Sequence, residues 1–266
     1  MPVEYRGFEG VTKFFYLACT KIQGVQDLKM PVEFFRIDMT KCWFIDLDDS
    51  IFEASGGMLH AIHLRMNEFI VKELRISWEA ASNLRSLYWT KYGATFLGLW
   101  KHYGIDPCVF LKATHEFDLS PYVARSGMLS EDLRKLHGRR VVFTNGPRNY
   151  AEKVIELLGI ERVIDDLVSS TDMHLFNDWR PKPSRSMLLS LCHYYGVRSS
   201  QAAMIDDSLM NLKVAHGLGV KTILCTGYRK RNGKMQCRRR PLYVDFSVGL
   251  LREVHRLPIN VEKGHL

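Results

Sequence analysis

Cys42-Trp43-Phe44-Ile45-Asp46-Leu47-Asp48-Asp49-Ser50 is a continuous apolar run that breaks abruptly into three aspartates and a serine. An unbroken apolar run ending in polar residues suits a strand buried on both faces of a parallel sheet. Residues two apart on an extended chain point to the same side, so Asp46 and Asp48 can converge on one small volume. Two close carboxylates repel, and burial raises the cost, which a divalent cation would relieve. The same pair also reads as an ordinary turn or helix cap.

The chain on either side of this stretch supports the sheet. Leu59, Ile62, Met66, Phe69, Ile70 and Leu74 recur at helical steps, and a second helix is expected over 78–92, with Leu84, Leu87 and Tyr88 on one side. Further helix is expected over 96–103 and 109–113. After this helical block, strands and helices alternate. Strands are expected over 141–143, 163–168, 202–205 and 221–225, with helices over 151–158, 187–195 and 209–216. Gly159 and Gly196 stop the first two of these helices. Tyr243 to Arg256 is expected to return to the core as strand and helix. Such alternation means a parallel α/β sheet, and ligands of such sheets gather at the carboxyl ends of the strands.

Three more polar clusters fall at strand ends or loops. Thr144-Asn145-Gly146 offers donors suited to an anion, or an Asn-Gly turn. Arg180-Pro181-Lys182-Pro183 frames a lysine with two prolines, which stiffen the backbone that aims it. Asp206-Asp207-Ser208 is a second acidic pair, or a helix cap through Asp207 or Ser208.

The order of acid pair, hydroxyl, lysine and acid pair resembles the haloacid dehalogenase superfamily, whose members mostly act as phosphohydrolases. Its four motifs resemble Phe44 to Ser50, Val142 to Gly146, Lys182 in its proline frame, and Met204 to Ser208 continuing through Asn211-Leu212, Ala215 and Gly219. The resemblance covers residues 41–227. It implies a Rossmann-like parallel sheet core (41–50 and 137–266) with a helical cap (51–136) inserted after the first strand. Residues 1–40 form a leader, with Met30 or Met39 expected as a natural start. The resemblance further implies Asp46 as nucleophile and Asp48 as general acid and base. It places phosphoryl oxygens on Thr144 and the backbone N–H of Asn145, and charge compensation on Lys182. It also implies Mg²⁺, held by the Asp46 side chain, the Asp48 carbonyl and Asp207, with Asp206 bound directly or one layer out. Ser50 keeps the hydroxyl of the commoner threonine, and Asp49 is expected to be structural. Dehalogenases of the superfamily lack an acid at the position of Asp48, so phosphoester hydrolysis is expected.

Leu87 to Leu99 resembles the pyrimidine 5′-nucleotidase subgroup. Tyr88, Trp89 or Tyr92 then becomes a candidate to stack on a nucleobase, against plain packing of an aromatic stripe. Sugar or flavin phosphates are the neighbouring alternative.

Composition bounds the rest. The chain has 266 residues, 46% of them hydrophobic and 25% charged, enough to bury a core and incompatible with wholesale disorder. The run Phe14 to Cys19 is too short for a membrane span, which needs roughly 18 residues or more. Six scattered cysteines without a CxxC argue against zinc or a disulfide framework and for a reducing cytoplasm. His60 and His63 have metal-compatible helical spacing without a third ligand. The net charge of +8 is concentrated in seven basic residues between Arg229 and Arg240. That loop is a solvated surface, or in a rival reading a nucleic-acid or acidic-partner site. A small phosphate monoester is the expected partner, with no membrane and no nucleic acid.

Overall fold

The computed structural model describes residues 40–175, 177–228 and 240–259. The leader, save Thr40, and the basic loop, save Arg240, lie outside the described residues.

β1 (Cys42–Ile45) has zero exposure at every position and is the centre of the sheet. It is flanked by β2 (Arg139–Phe143) and β6 (Ala202–Asp206). β3 (Asp166–Val168) extends one side, while β7 (Lys221–Cys225) and β8 (Phe246–Val248) extend the other, giving the order β3-β2-β1-β6-β7-β8 with every pair parallel. Alternate residues of each strand feed different cores. Trp43, Ile45, Val142, Ala203 and Ile205 pack on one face, and Cys42, Phe44, Val141, Phe143 and Met204 on the other. This is why the central strands read as unbroken apolar runs.

Helices cover both faces. α6 (Arg148–Leu158), α5 (Gly127–Arg134) and a 3₁₀ turn (Leu251–Arg256) lie on the first, with Tyr150, Val154, Leu133 and Val254 buried. α7 (Arg185–Tyr194) and α8 (Leu209–His216) lie on the second. Gly159 ends α6 in the left-handed conformation (φ 72°), as its position in the sequence predicts. A two-residue hairpin, β4 (His174–Leu175) with β5 (Asp178–Trp179), stands apart from the sheet.

Between β1 and β2 the chain makes α1 (Met58–Leu74), α2 (Trp78–Tyr92), α3 (Thr95–Tyr103), α4 (Pro107–His115) and then α5. The Ser77 hydroxyl accepts from Ala80 N–H to open α2, and the Asp106 carboxylate accepts from Cys108 N–H to open α4 behind Pro107. α1 to α4 enclose a third apolar core of Ile70, Ala81, Tyr88, Phe96, Leu99 and Phe110. Leu133 and Leu136 of the α5 region instead join the sheet's own core. Leu87, expected on one side of α2 with Leu84 and Tyr88, is exposed, because Tyr88 and Ala81 take the inner face. Among the described residues no helix is long and apolar enough to cross a membrane. Cys42, Cys108, Cys192 and Cys225 are free thiols.

Candidate active site

In the parallel pairing of β1 with β6, Ile45 is opposite Ile205, so the next residues, Asp46 and Asp206, emerge side by side. Asp46 N–H donates to the Ile205 carbonyl at 2.9 Å and continues the ladder by one step. Here the chain turns from one half of the sheet to the other, where α/β sheets open a crevice.

Lys182 closes the pair. Its ammonium donates to Asp46 Oδ1 at 2.6 Å and to Asp206 Oδ2 at 2.9 Å, and its side chain is buried, 3% exposed. Burial alone would lower the lysine pKa, but the Asp206 and Asp46 carboxylates outweigh it and hold the ammonium above its ordinary value. Burial pushes Asp46 well up, Lys182 opposes this, and Asp206, Asp207 and Asp48 add to the rise. Ser50, fully buried, donates to Asp46 Oδ2 at 3.3 Å, so the hydroxyl kept at this position has a partner.

Asp206 is saturated. Ser208 N–H donates to Oδ1 at 2.8 Å, and Asn211 Nδ2 lies 3.0 Å from each oxygen, besides the lysine. Its carboxylate is thus held chiefly by the protein. Oxygens of Asp46, Asp206 and Asp207 lie within 4.8 Å of one another, the one such group of potential metal ligands among the described residues. His60 and His63 belong to no such group. If ionised, three carboxylates against one ammonium leave two negative charges, and an all-oxygen donor set suits a hard divalent cation.

Asp48 lies beyond the strand, where the Tyr150 hydroxyl donates to its Oδ1. Burial pushes the Asp48 carboxyl up to about 6, against the pull of that hydrogen bond, so it can hold a proton close to neutral pH. Asp49 adopts φ 57° and accepts Ser55 N–H at 2.8 Å, the turn role expected of it.

Thr144 follows β2 and is buried. Its Oγ1 accepts Gly146 N–H at 3.0 Å, leaving the hydroxyl hydrogen available to an anion. The Asn145 side chain is committed elsewhere. Nδ2 donates to the Lys182 carbonyl at 2.9 Å and approaches that of Gly93 at 3.4 Å, while Oδ1 accepts Lys182 N–H at 2.8 Å. Asn145 therefore clasps the lysine loop to the end of α2, and only its backbone remains for a ligand. Gly93 permits the approach. Its φ is 80°, and a Cβ there would lie 2.6 Å from both the Lys182 carbonyl oxygen and Pro183 Cδ.

The three candidate aromatics separate. Tyr88 is buried and stacks on His102 with centroids 5.2 Å apart and planes 4° from parallel. Its face is occupied within the helical insert, so it does not serve as a base platform. Trp89 is 60% exposed. The Tyr92 hydroxyl pairs with His102 Nε2 at 2.7 Å, and Tyr92 lines a cleft of about 530 Å³ with Trp179, Arg180, Pro181 and Pro183, beside the lysine loop. Tyr150 is the site residue that sequence reading missed. Its one signal is its place in the first turn of the helix after Thr144-Asn145-Gly146.

A parallel sheet that gathers four separated polar motifs at one carboxyl edge defines a Rossmann-like α/β protein with an acidic site. A model of the haloacid dehalogenase-like hydrolases matches residues 41–219, and the chain belongs to that family. It is 23% identical over 195 residues to phosphate metabolism protein 8 of Saccharomyces cerevisiae, covering 69% of this chain and 61% of the yeast protein. It is 32% identical over 100 residues to validoxylamine A 7′-phosphate phosphatase of Streptomyces hygroscopicus subsp. limoneus, covering 36% of this chain and 43% of that protein. The chain thus spans less than two thirds of either relative. Its fold resembles a HAD phosphatase from Thermococcus onnurineus, with TM-score 0.52, 19% identity and coverage of 82% of this chain and 97% of that one. It also resembles the HAD-hydrolase YfnB of Bacillus subtilis, with TM-score 0.55, 16% identity and coverage of 82% and 98%.

Proposed function

We propose that this hydrolase is a Mg²⁺-dependent phosphomonoesterase working through an aspartyl-phosphate. The observation that carries the reading is the Lys182 ammonium bonded to both Asp46 and Asp206, with Asp48, two residues on from Asp46, held separately by the Tyr150 hydroxyl. Asp46 attacks phosphorus, the bond to the leaving oxygen breaks, and Asp48 gives that oxygen its proton. Asp48 then takes a proton from the water that hydrolyses the acyl-phosphate, returning Asp46 and free phosphate. The Thr144 hydroxyl and the Asn145 N–H hold phosphoryl oxygens, and Lys182 offsets the charge on both partners. Mg²⁺ would be held by the Asp46 carboxylate, the Asp48 carbonyl and Asp207, with Asp206 orienting Lys182. When bound it supplies positive charge that lets an anionic nucleophile meet an anionic phosphate. The helices between β1 and β2 act as the lid that selects the substrate.

The substrate favoured is a pyrimidine nucleoside 5′-monophosphate. Its support is the resemblance of Leu87 to Leu99 to that subgroup, together with Tyr92 beside the lysine loop. A phosphorylated sugar-like alcohol is the second reading, favoured by the relative named for validoxylamine A 7′-phosphate. A reducing cytoplasmic setting fits the free thiols.

Phosphate release from a panel of nucleotides and sugar phosphates, with and without Mg²⁺, tests this. Selective Mg²⁺-dependent turnover of UMP and CMP, absent in Asp46→Asn, is the expected result. Turnover confined to sugar phosphates moves the substrate to the second reading. No turnover by the unaltered protein rejects the enzymatic reading and turns attention to the basic loop.

A further inference from the structure

We propose that Tyr150 is a positioning residue for Asp48, held in place by His115 of the helical insert. The inference rests on the reading of Asp48 as the acid that protonates the leaving oxygen. Tyr150 is 2% exposed, and its hydroxyl donates to Asp48 Oδ1 across 102 residues of chain. That bond fixes the carboxyl at one oxygen. The rotation of the carboxyl, and with it the direction of Oδ2, is therefore set by Tyr150.

The tyrosine ring is fixed on two sides. One edge lies against the Gly146 backbone, where an added Cβ would come within 2.8 Å of the ring. On another side His115, at the end of α4, packs edge to face with centroids 5.3 Å apart and planes at 72°. The imidazole is itself tied down. Nδ1 is 3.1 Å from the Leu111 carbonyl and 2.8 Å from Thr114 Oγ1. A carbonyl can only accept, so the Leu111 contact requires the proton on Nδ1. α4, His115, Tyr150 and Asp48 thus form one line of contacts from the insert to the acid. Tyr150 meets the site at two places, its hydroxyl on Asp48 and its ring on the Gly146 turn, and only the hydroxyl acts on the acid directly.

Leaving-group dependence separates positioning from mere packing. Tyr150→Phe keeps the ring and removes the anchor. An alkyl phosphate needs its leaving oxygen protonated, whereas p-nitrophenolate leaves without help. We expect kcat/KM on an alkyl phosphate, which covers only the steps through departure of the leaving oxygen, to fall by about 10- to 100-fold, at or below the roughly 10²–10⁴-fold that general acid catalysis contributes in full. The loss in kcat/KM on p-nitrophenyl phosphate should be at least about tenfold smaller. In an Asp48→Ala background the same change should cost nothing further. His115→Ala, which loosens the ring and leaves the hydroxyl, should give the same selectivity at reduced size. It carries the test if Tyr150→Phe proves unstable by thermal melt. An equal fall in kcat/KM on both esters, or no fall on either, overturns the proposal while leaving the phosphatase reading intact. Failure of the unaltered protein to hydrolyse either ester overturns both.

Discussion

Replacing Lys182 by methionine keeps the length of the side chain and deletes the charge that faces two carboxylates at 2.6 and 2.9 Å. Asp46 and Asp206 are both buried, and Asp207 stands in the same cluster. Removing one partner of a buried ion pair typically costs about 3–5 kcal/mol, because the remaining charge is stranded. At about 2–4 °C per kcal/mol for a chain of this size, the metal-free variant should melt on the order of 10 °C below the parent. The sign reverses on adding a divalent cation. Three carboxylates without an ammonium attract Mg²⁺ more strongly than three with one, so saturating Mg²⁺ should raise the variant's melting temperature more than the parent's. Turnover should stay low throughout, down by roughly 10²–10³, since the lysine also serves the transferring phosphoryl group. Melting curves in EDTA and in Mg²⁺ make the comparison. Equal melting temperatures for parent and variant in EDTA would refute the argument, because the carboxylates would then not need the ammonium.

His115 is buried neutral, with its pKa pushed down to about 4. Between about pH 6.5 and 4 the unfolded chain binds a proton that the native imidazole refuses, so this group's contribution to stability is lost as pH falls through that window, by about 3 kcal/mol at its end. Asp48, raised to about 6, acts in the opposite direction. The measurement is therefore the difference in denaturation slope between the parent and His115→Ala, which should lack the histidine component. Gly93→Ala places a methyl against the lysine loop at positive φ and should cost about 1–3 kcal/mol of stability, together with a drop in kcat, measured by melting and initial rates. Tyr88→Ala should destabilise by about 3 kcal/mol with KM unchanged, whereas exposed Trp89→Ala should stay within about 0.5 kcal/mol of the parent, as read from urea titrations.

β1, α1, α2, α8 and β7 are legible in the sequence because their signals are local: an unbroken apolar run, a 3.6-residue stripe, a glycine at the end. The hairpin of His174–Leu175 with Asp178–Trp179 is not, since two residues carry no period. α5 is missed for a related reason. It begins at Gly127 and buries Leu133 alone, so no stripe accumulates over its eight residues. The charged residues of the site are legible as motifs at strand ends, and the sheet brings Asp46, Lys182, Asp206 and Asp207 together as their order implies. What the motifs conceal is the use of each side chain. Asn145 reads as a backbone donor to phosphate, and nothing local tells that its side chain is spent on the backbone of another loop. Tyr88 reads as a base platform, yet His102 already covers it. Tyr150 looks like any helical aromatic until Asp48, 102 residues earlier, is seen beneath it. Each of these depends on a contact between distant segments that no local pattern encodes.

The Asn145 clasp has a consequence for redesign. It grips the main chain on both sides of the seam, the Gly93 carbonyl in the insert and the Lys182 amide and carbonyl in the core. Tilting the insert at this edge therefore drags the ammonium with it. Changes to the C-terminal end of α2 meant to admit a new substrate should alter rate and selectivity together. A designer seeking selectivity alone should work on faces of the insert remote from both this seam and His115, where a new shape can be carved without moving a charge.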